Sequence, residues 1–269
     1  MSVSDPTIGE LLDFHFECLQ GMYFSDYRQI EGGALLFSGA IKDPYYNFFA
    51  PGSPGAAASL PAAIEEEFLR RGRQPALYIT PQARPADASG AEPEAWARDA
   101  WLVGDTAALA TPETGEGNLR LRTVGREDRE VYVATFTAAY SGDDPDDPYG
   151  NLDSAYSESL RASFDNSVPG YRKHYVMATL DDQPVGVATI LTAGGIAGVY
   201  GVGTLPARRR AGIGSAIMRY LARVADADGA THLMLQTEAG STVQRWYESL
   251  GYRHVFDASY ITVASKAGA

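Results

Sequence analysis

Val202-Gly203-Thr204-Leu205-Pro206-Ala207-Arg208-Arg209-Arg210-Ala211-Gly212-Ile213-Gly214-Ser215 is the stretch that decides the fold. An apolar, strand-like run ends at Leu205. Pro206 stops it by removing a backbone donor. A short basic loop follows, and helical periodicity begins at Gly212, with Ile213, Ile217, Leu221 and Val224 on one face. The first N–H groups of such a helix have no partner within it, and the helix dipole adds partial positive charge there. Gly212 and Gly214 remove side chains that would block close approach. Arg208, Arg209 and Arg210 gather cations at the same spot. Together these features predict an anion site suited to a pyrophosphate. A solvated turn that merely needed glycine is the plain alternative.

Two common phosphate motifs do not fit. The Gly-Lys-Ser/Thr of a P-loop is absent. A dinucleotide fold needs G-x-G-x-x-G after the first strand of a parallel unit, whereas this loop follows a fourth strand and lacks the third glycine.

The elements around the loop read in order. Leu119–Val124 alternates as a half-buried strand does. Glu127–Tyr140 and Leu152–Phe164 are predicted helices. Tyr171–Thr179, Val185–Thr192 and Ile196–Leu205 are predicted strands, the first two joined by a hairpin at Asp181-Asp182-Gln183-Pro184. Gly212–Asp228 is a helix, His232–Thr237 a strand, and Ser241–Leu250 a helix stopped by Gly251. Tyr252–Phe256 and Ser259–Val263 are expected as two closing strands. The uncharged run Gln183–Ala207 has the apolarity of a membrane span, but Pro184 and Gly194-Gly195 interrupt it, and two buried strands fit better.

Upstream, Ile8–Leu19 and Ala62–Arg70 are predicted helices. Ala34–Ala40, Tyr45–Phe49, Ala76–Thr80 and Trp101–Val103 are predicted strands. Thr111–Asn118 has linker chemistry, so a smaller α/β domain over 1–112 and a larger one over 119–265 are expected. The upstream element order echoes the second half of the larger domain. The fold class is α/β (an α+β mixed sheet) with helices on both faces.

Arg209-x-x-Gly212-x-Gly214 resembles the Arg/Gln-x-x-Gly-x-Gly/Ala signature of the GNAT superfamily of N-acyltransferases. Tyr175–Ala188 is similar to that family's central hairpin. Trp246-Tyr247-Glu248-Ser249-Leu250-Gly251-Tyr252 resembles its late helix-to-strand segment. The resemblance covers about 119–265, with all three motifs in family order.

The resemblance implies acetyl-CoA or another acyl-CoA as co-substrate, with no metal. The diphosphate would rest on the amides of Arg210, Ala211, Gly212, Ile213, Gly214 and Ser215, with Arg209 in the signature. The pantetheine arm would pair with Gly203, Thr204 and Leu205. Tyr247 would lie next to the CoA sulfur, where a phenol can protonate the departing thiolate. Many relatives carry a glutamate on the fourth strand, but Ile196–Gly203 contains no carboxylate. Glu238, ending the fifth strand, is the first candidate for the base, and a water chain is the alternative. Tyr200 is expected to line the acceptor pocket. Asp143 and Asp144, in an aspartate-rich loop, would attract an ammonium group, with plain solvation an equal reading. The upstream domain, without R-x-x-G-x-G, resembles the degenerate half of tandem GNAT proteins. It is expected to bind no CoA and to wall the acceptor site; Tyr45-Tyr46-Asn47-Phe48-Phe49 is a candidate part of that wall, with an ordinary core strand the plainer reading.

Composition narrows the partners. The chain has 269 residues, 34 acidic against 22 basic, and a net charge of −12. Such a surface repels nucleic-acid phosphates and anionic lipid and would favour a cationic or amine substrate, with plain solubility the simpler reading; a small-molecule amine acceptor is expected. The single cysteine, Cys18, forms no internal disulfide and reads as a buried apolar residue. His15, His174, His232 and His254 show no metal-ligand spacing. With no basic-then-apolar leader, a cytoplasmic protein is expected, compatible with a homodimer. A non-catalytic CoA-binding or regulatory module, and a protein lysine acetyltransferase, stand as alternatives to a small-molecule N-acetyltransferase.

Overall fold

The computed structural model describes residues 4–53, 60–84, 94–111, 118–141 and 152–263. In chain order the helices are α1 (Ile8–Cys18), α2 (Ala62–Arg70), α3 (Thr106–Leu109), α4 (Arg129–Ala139), α5 (Ser154–Ser163), α6 (Ile213–Ala227) and α7 (Thr242–Ser249). The strands are β1 (Asp26–Ile30), β2 (Gly33–Phe37), β3 (Asn47–Pro51), β4 (Ala76–Ile79), β5 (Ala97–Asp105), β6 (Leu119–Val124), β7 (Arg172–Leu180), β8 (Gln183–Ala193), β9 (Ile196–Thr204), β10 (His232–Glu238) and β11 (Arg253–Thr262).

All eleven strands form one mixed sheet, ordered β1-β2-β3-β4-β11-β5-β10-β9-β8-β7-β6. Two-residue turns close the β7–β8 and β8–β9 hairpins, with Leu180 opposite Gln183 and Ala193 opposite Ile196. Asp181 and Asp182 sit at φ 51° and 61°, the paired positive values that match the right-handed twist of the strands they join. The uncharged run is therefore two strands. Among the described residues, no helix is long and apolar enough to cross a membrane.

The sequence-based elements recur with small shifts. β2 stops at Phe37 rather than Ala40 because the Ser38 N–H donates to the Asn47 side chain (3.1 Å) instead of to a strand. The two expected closing strands are one, β11. Its register against β5 shifts between His254 and Phe256, a bulge that bends the strand without ending it. Trp101–Val103 is the centre of the longer β5. Two elements add to those expected: β1, a half-exposed edge strand, and α3, a short turn capped by Asp105. The expected linker falls largely on residues 112–117, outside the described residues.

The sheet shows a reciprocal exchange. β9 and β10 are a parallel pair, as are β3 and β4. β5, from the upstream half, lies antiparallel against β10 of the downstream half. β11, from the downstream half, lies antiparallel against β4 of the upstream half. β5 and β11 then pair with each other at the centre. The upstream half thus repeats the parallel-pair topology of the downstream half, with its crossover helix α2 in the place of α6.

Three hydrophobic clusters hold the layers together. On one face α1, α4 and α5 cover an aromatic-rich core that crosses both halves, including Phe16, Tyr78, Trp101, Tyr132, Tyr200 and Phe256. On the other face α6 packs on the downstream strands through Ile213, Ile217 and Leu221. α2 covers the upstream strands through Ile64 and Phe68. Trp101, on β5, has no exposed surface, stacks on Phe256 at 5.0 Å and donates from Nε1 to the Tyr78 hydroxyl at 2.7 Å. Truncating so large a buried ring to alanine costs about 3–5 kcal/mol.

The exchange makes the halves interdependent, because removing β5 bares the edges of β10 and β11. Residues 118–263 expressed alone are expected to aggregate or lose near-UV circular dichroism, and to become soluble when co-expressed with residues 4–111. A downstream half that folds alone with the same melting temperature as the whole chain contradicts this.

Candidate active site

The parallel pair β9–β10 is joined only over a short register, Ile196–Gly198 against His232–Met234. Beyond it the strands part. β9 stays with β8 as far as Thr204 opposite Gly186, while β10 stays with β5 as far as Glu238 opposite Asp99. A register shift between Val187 and Thr189 marks a bulge in this outer part of the β8–β9 pair, beside Gly201. The result is a wedge between two strand edges, of a shape that an extended chain bearing amides can enter as an additional strand.

The basic loop lies at the end of β9. Residues 206–208 form a single 3-10 turn and α6 starts at Ile213. Arg210 and Gly212 both take left-handed backbone conformations, φ 64° and 76°. Alternation of this kind turns successive N–H groups toward one side and makes an anion-binding concavity. No side chain caps the first turn of α6. A Cβ at Gly212 would meet open space, so glycine there serves the positive φ and leaves the amides uncovered. Arg208 and Arg210 are exposed beside it.

Two signature residues have packing partners. Arg209 turns inward: Nε donates to the Thr204 carbonyl at 3.3 Å and Nη2 to the Ala139 carbonyl at 2.9 Å. It fastens the end of α4 to the end of β9. A Cβ at Gly214 would lie 3.2 Å from the ring of Trp246, so this glycine lets α7 pack on the first turn of α6. Ile213 is buried under the helix.

Tyr247 is buried on α7, beside Trp246 (4.6 Å between ring centroids) and Tyr252 (5.8 Å). Ser241 caps this helix by accepting from the Gln244 N–H at 3.0 Å. Tyr200 is buried on β9 under α1. Its hydroxyl lies 3.1 Å from His15 Nδ1 and 3.2 Å from Cys18 Sγ. Burial lowers the His15 pKa to about 3, so the ring is neutral at physiological pH. Burial also raises the Cys18 thiol far above its ordinary range, which suits a packing residue better than a nucleophile. Asp143 and Asp144 lie outside the described residues.

Glu238 is exposed at the end of β10. Its direct neighbour across the β10–β5 ladder is Asp99, a residue that sequence reasoning passed over. Asp99 is half-buried, accepts a hydrogen bond from the Tyr260 hydroxyl, and has its pKa raised to about 7, first by burial and then by the charge of Glu238. Only the register of an exchanged strand brings it to this place, and local sequence carries no mark of that pairing. Around it the rings of Tyr45, Trp96 and Tyr260 touch one another, with centroids 4.7, 4.8 and 5.5 Å apart. Tyr46 reaches Tyr156 of α5 at 5.6 Å and ties this wall to the downstream half. The expected acceptor-side tyrosines 45 and 46 thus lie at the junction of the halves, whereas Phe48 and Phe49 are core.

Residues 136–252 match the acetyltransferase (GNAT) family model. Residues 136–252 thus carry a GNAT acetyltransferase domain. Among solved structures, a GCN5-related N-acetyltransferase from Kribbella flavida aligns with a TM-score of 0.62 at 22% identity, covering 91% of this chain and 92% of that one. A conserved protein of unknown function from Staphylococcus epidermidis aligns with a TM-score of 0.63 at 16% identity, over 87% and 92%. A tandem GNAT protein from the clavulanic acid biosynthesis pathway aligns with a TM-score of 0.54 at 14% identity, over 85% and 77%. The similarity spans both halves and establishes a shared fold. No curated protein matches the sequence.

Asp99 links this site to stability. Its folded pKa lies above the ordinary carboxylate value, so between about pH 4 and 7 the folded state holds a proton that the unfolded state releases. Stability therefore falls as pH rises through that window. Allowing for partial exposure, the penalty at alkaline pH is on the order of 2 kcal/mol. Asp99→Asn is expected to be more stable than the parent at pH 8.5, with the gap closing by pH 4 in chemical denaturation. An equal gap at both pH values contradicts the assignment.

Proposed function

We propose that the chain is an N-acetyltransferase that moves an acetyl or short acyl group from acyl-CoA to a primary amine by direct attack, both substrates being bound together. The observation that supports it most is the coincidence of two features on one wedge. The β9–β10 gap offers strand edges, and the loop at its mouth offers backbone N–H groups at an uncapped helix start.

The residues fit the coenzyme. The amides of residues 210–215 would hold the diphosphate, helped by the exposed Arg208 and Arg210. Arg209 would act indirectly, through its hold on the Thr204 and Ala139 carbonyls. Gly203, Thr204 and Leu205 would pair with the pantetheine amides. Bound acyl-CoA supplies an activated thioester carbonyl. Main-chain N–H groups on the free edge of β9 would steady the negative charge that develops on the carbonyl oxygen. Tyr247 would donate a proton to the departing thiolate.

The acceptor would enter from the face covered by α1, α4 and α5, where the carboxylates of Asp99 and Glu238 attract an ammonium group. We assign the upstream half the role of a degenerate partner unit that walls this entrance. Tyr200 would shape the wall by packing, with its hydroxyl held by α1.

Tyr247→Phe is expected to leave the calorimetric affinity for coenzyme A within about twofold and to lower turnover of acetyl-CoA with an amine by about 10²-fold. Unchanged turnover removes Tyr247 from the chemistry. Coenzyme A binding without acyl transfer in the parent favours a regulatory CoA-binding module.

A further inference from the structure

The fourth strand of this domain has no carboxylate to receive the acceptor's proton. The exchanged strand supplies one. β5 lies directly beside β10, and Asp99 stands opposite Glu238 at the end of their ladder, on the outer side of the wedge. Along β5 the side chains alternate. Trp101 and Val103 belong to the core under α1, α4 and α5, and Ala100 and Leu102 to the core under α6. Asp99 therefore shares the face of Trp101, the acceptor side. Along β10, Met234 lies on that same face, and the alternation brings Glu238 to it as well.

We propose that Asp99, carried by the upstream half into the downstream sheet, is the catalytic residue that takes the proton from the acceptor's ammonium group. Glu238 holds that ammonium beside it, and the Tyr45–Trp96–Tyr260 rings receive its carbon skeleton. The acceptor class is a primary amine on an apolar or aromatic body, such as an arylalkylamine. The inference rests on the acetyltransferase reading and adds its missing base and one face of its acceptor site.

The surroundings suit the task. Burial and the like charge of Glu238 raise the affinity of Asp99 for a proton, and the Tyr260 hydroxyl moderates it. Tyr78 on β4 and Tyr45 in the turn before β3 also feel the Asp99 charge. Burial first, and then the carboxylates nearby, raise the phenols, so these stay protonated at neutral pH. A base is most effective when its pKa lies near the working pH. Trp96 is 41% exposed, among the few large apolar side chains left open, and it stands at the rim of this wall. An exposed indole beside a carboxylate is the chemistry that receives an ammonium-bearing hydrocarbon.

The protons balance. The ammonium gives one proton to the Asp99 carboxylate. The neutral amine forms its N–C bond to the thioester carbonyl as the C–S bond breaks. The thiolate takes a proton from Tyr247, and the second nitrogen proton returns through water to Tyr247. The proton on Asp99 passes to solvent, so each turnover releases one proton.

The full chain with ¹³C-labelled aspartate carboxyls tests this by NMR, with Asp99→Asn identifying the resonance. Asp99 is expected to titrate near neutrality, lower in Glu238→Gln and higher in Tyr260→Phe. With coenzyme A present, phenethylamine is expected to move that resonance. In acetyl transfer to phenethylamine, followed by thiol release, Asp99→Asn is expected to lose about 10²-fold in kcat and the neutral limb of its pH profile, with coenzyme A affinity unchanged. An Asp99 that titrates in the ordinary carboxylate range overturns the inference. So does wild-type turnover in Asp99→Asn, or a resonance that phenethylamine leaves unmoved. A parent chain that binds no coenzyme A overturns the acetyltransferase reading itself, and calorimetry keeps that failure separate.

Discussion

The pairing of β5 with β10 and β11 is the constraint on which the rest depends. A parallel strand pair that opens into a wedge leaves its outer strand in need of a partner on the far side. In this chain the partner comes from the other half, and the favour is returned when β11 pairs with β4. The sheet is therefore continuous across both halves, and so is the aromatic core beneath α1. The same pairing decides which side chains border the wedge. Neither half contains that border by itself.

At the other end of the wedge the controlling feature is local. A strand stop, left-handed turns at Arg210 and Gly212, and an uncapped α6 follow one another within a few residues. The groups that would hold an anion there are backbone N–H groups, which are compatible with a strongly acidic surrounding protein. The three arginines share their stretch but not their roles. Arg208 and Arg210 are exposed, and Arg209 donates to carbonyls that hold α4 against β9.

The downstream half was largely legible in the sequence. Period-two and helical patterns, the Asp181-Asp182 turn and the Pro206 stop place its elements within a few residues, because each signal acts over a few neighbours. What the sequence concealed is long-range. Nothing in Arg98-Asp99-Ala100 announces that this strand will lie beside Glu238, so the carboxylate pair was visible only from one side. The two expected closing strands are one because pairing with β5 runs on through Asp257 and Ala258, a continuity that only the neighbouring strand supplies. The Arg209 and Gly214 contacts were hidden for a related reason: a signature records which residue occurs, not which neighbour it packs against.

The most direct measurement is a crystal structure of the full chain grown with coenzyme A. The account predicts the diphosphate on the main-chain amides of residues 210–215 and the pantetheine arm between β9 and β10, ending on the side of Tyr247. Coenzyme A bound elsewhere, or a wedge closed by continued pairing of β9 with β10, would contradict it.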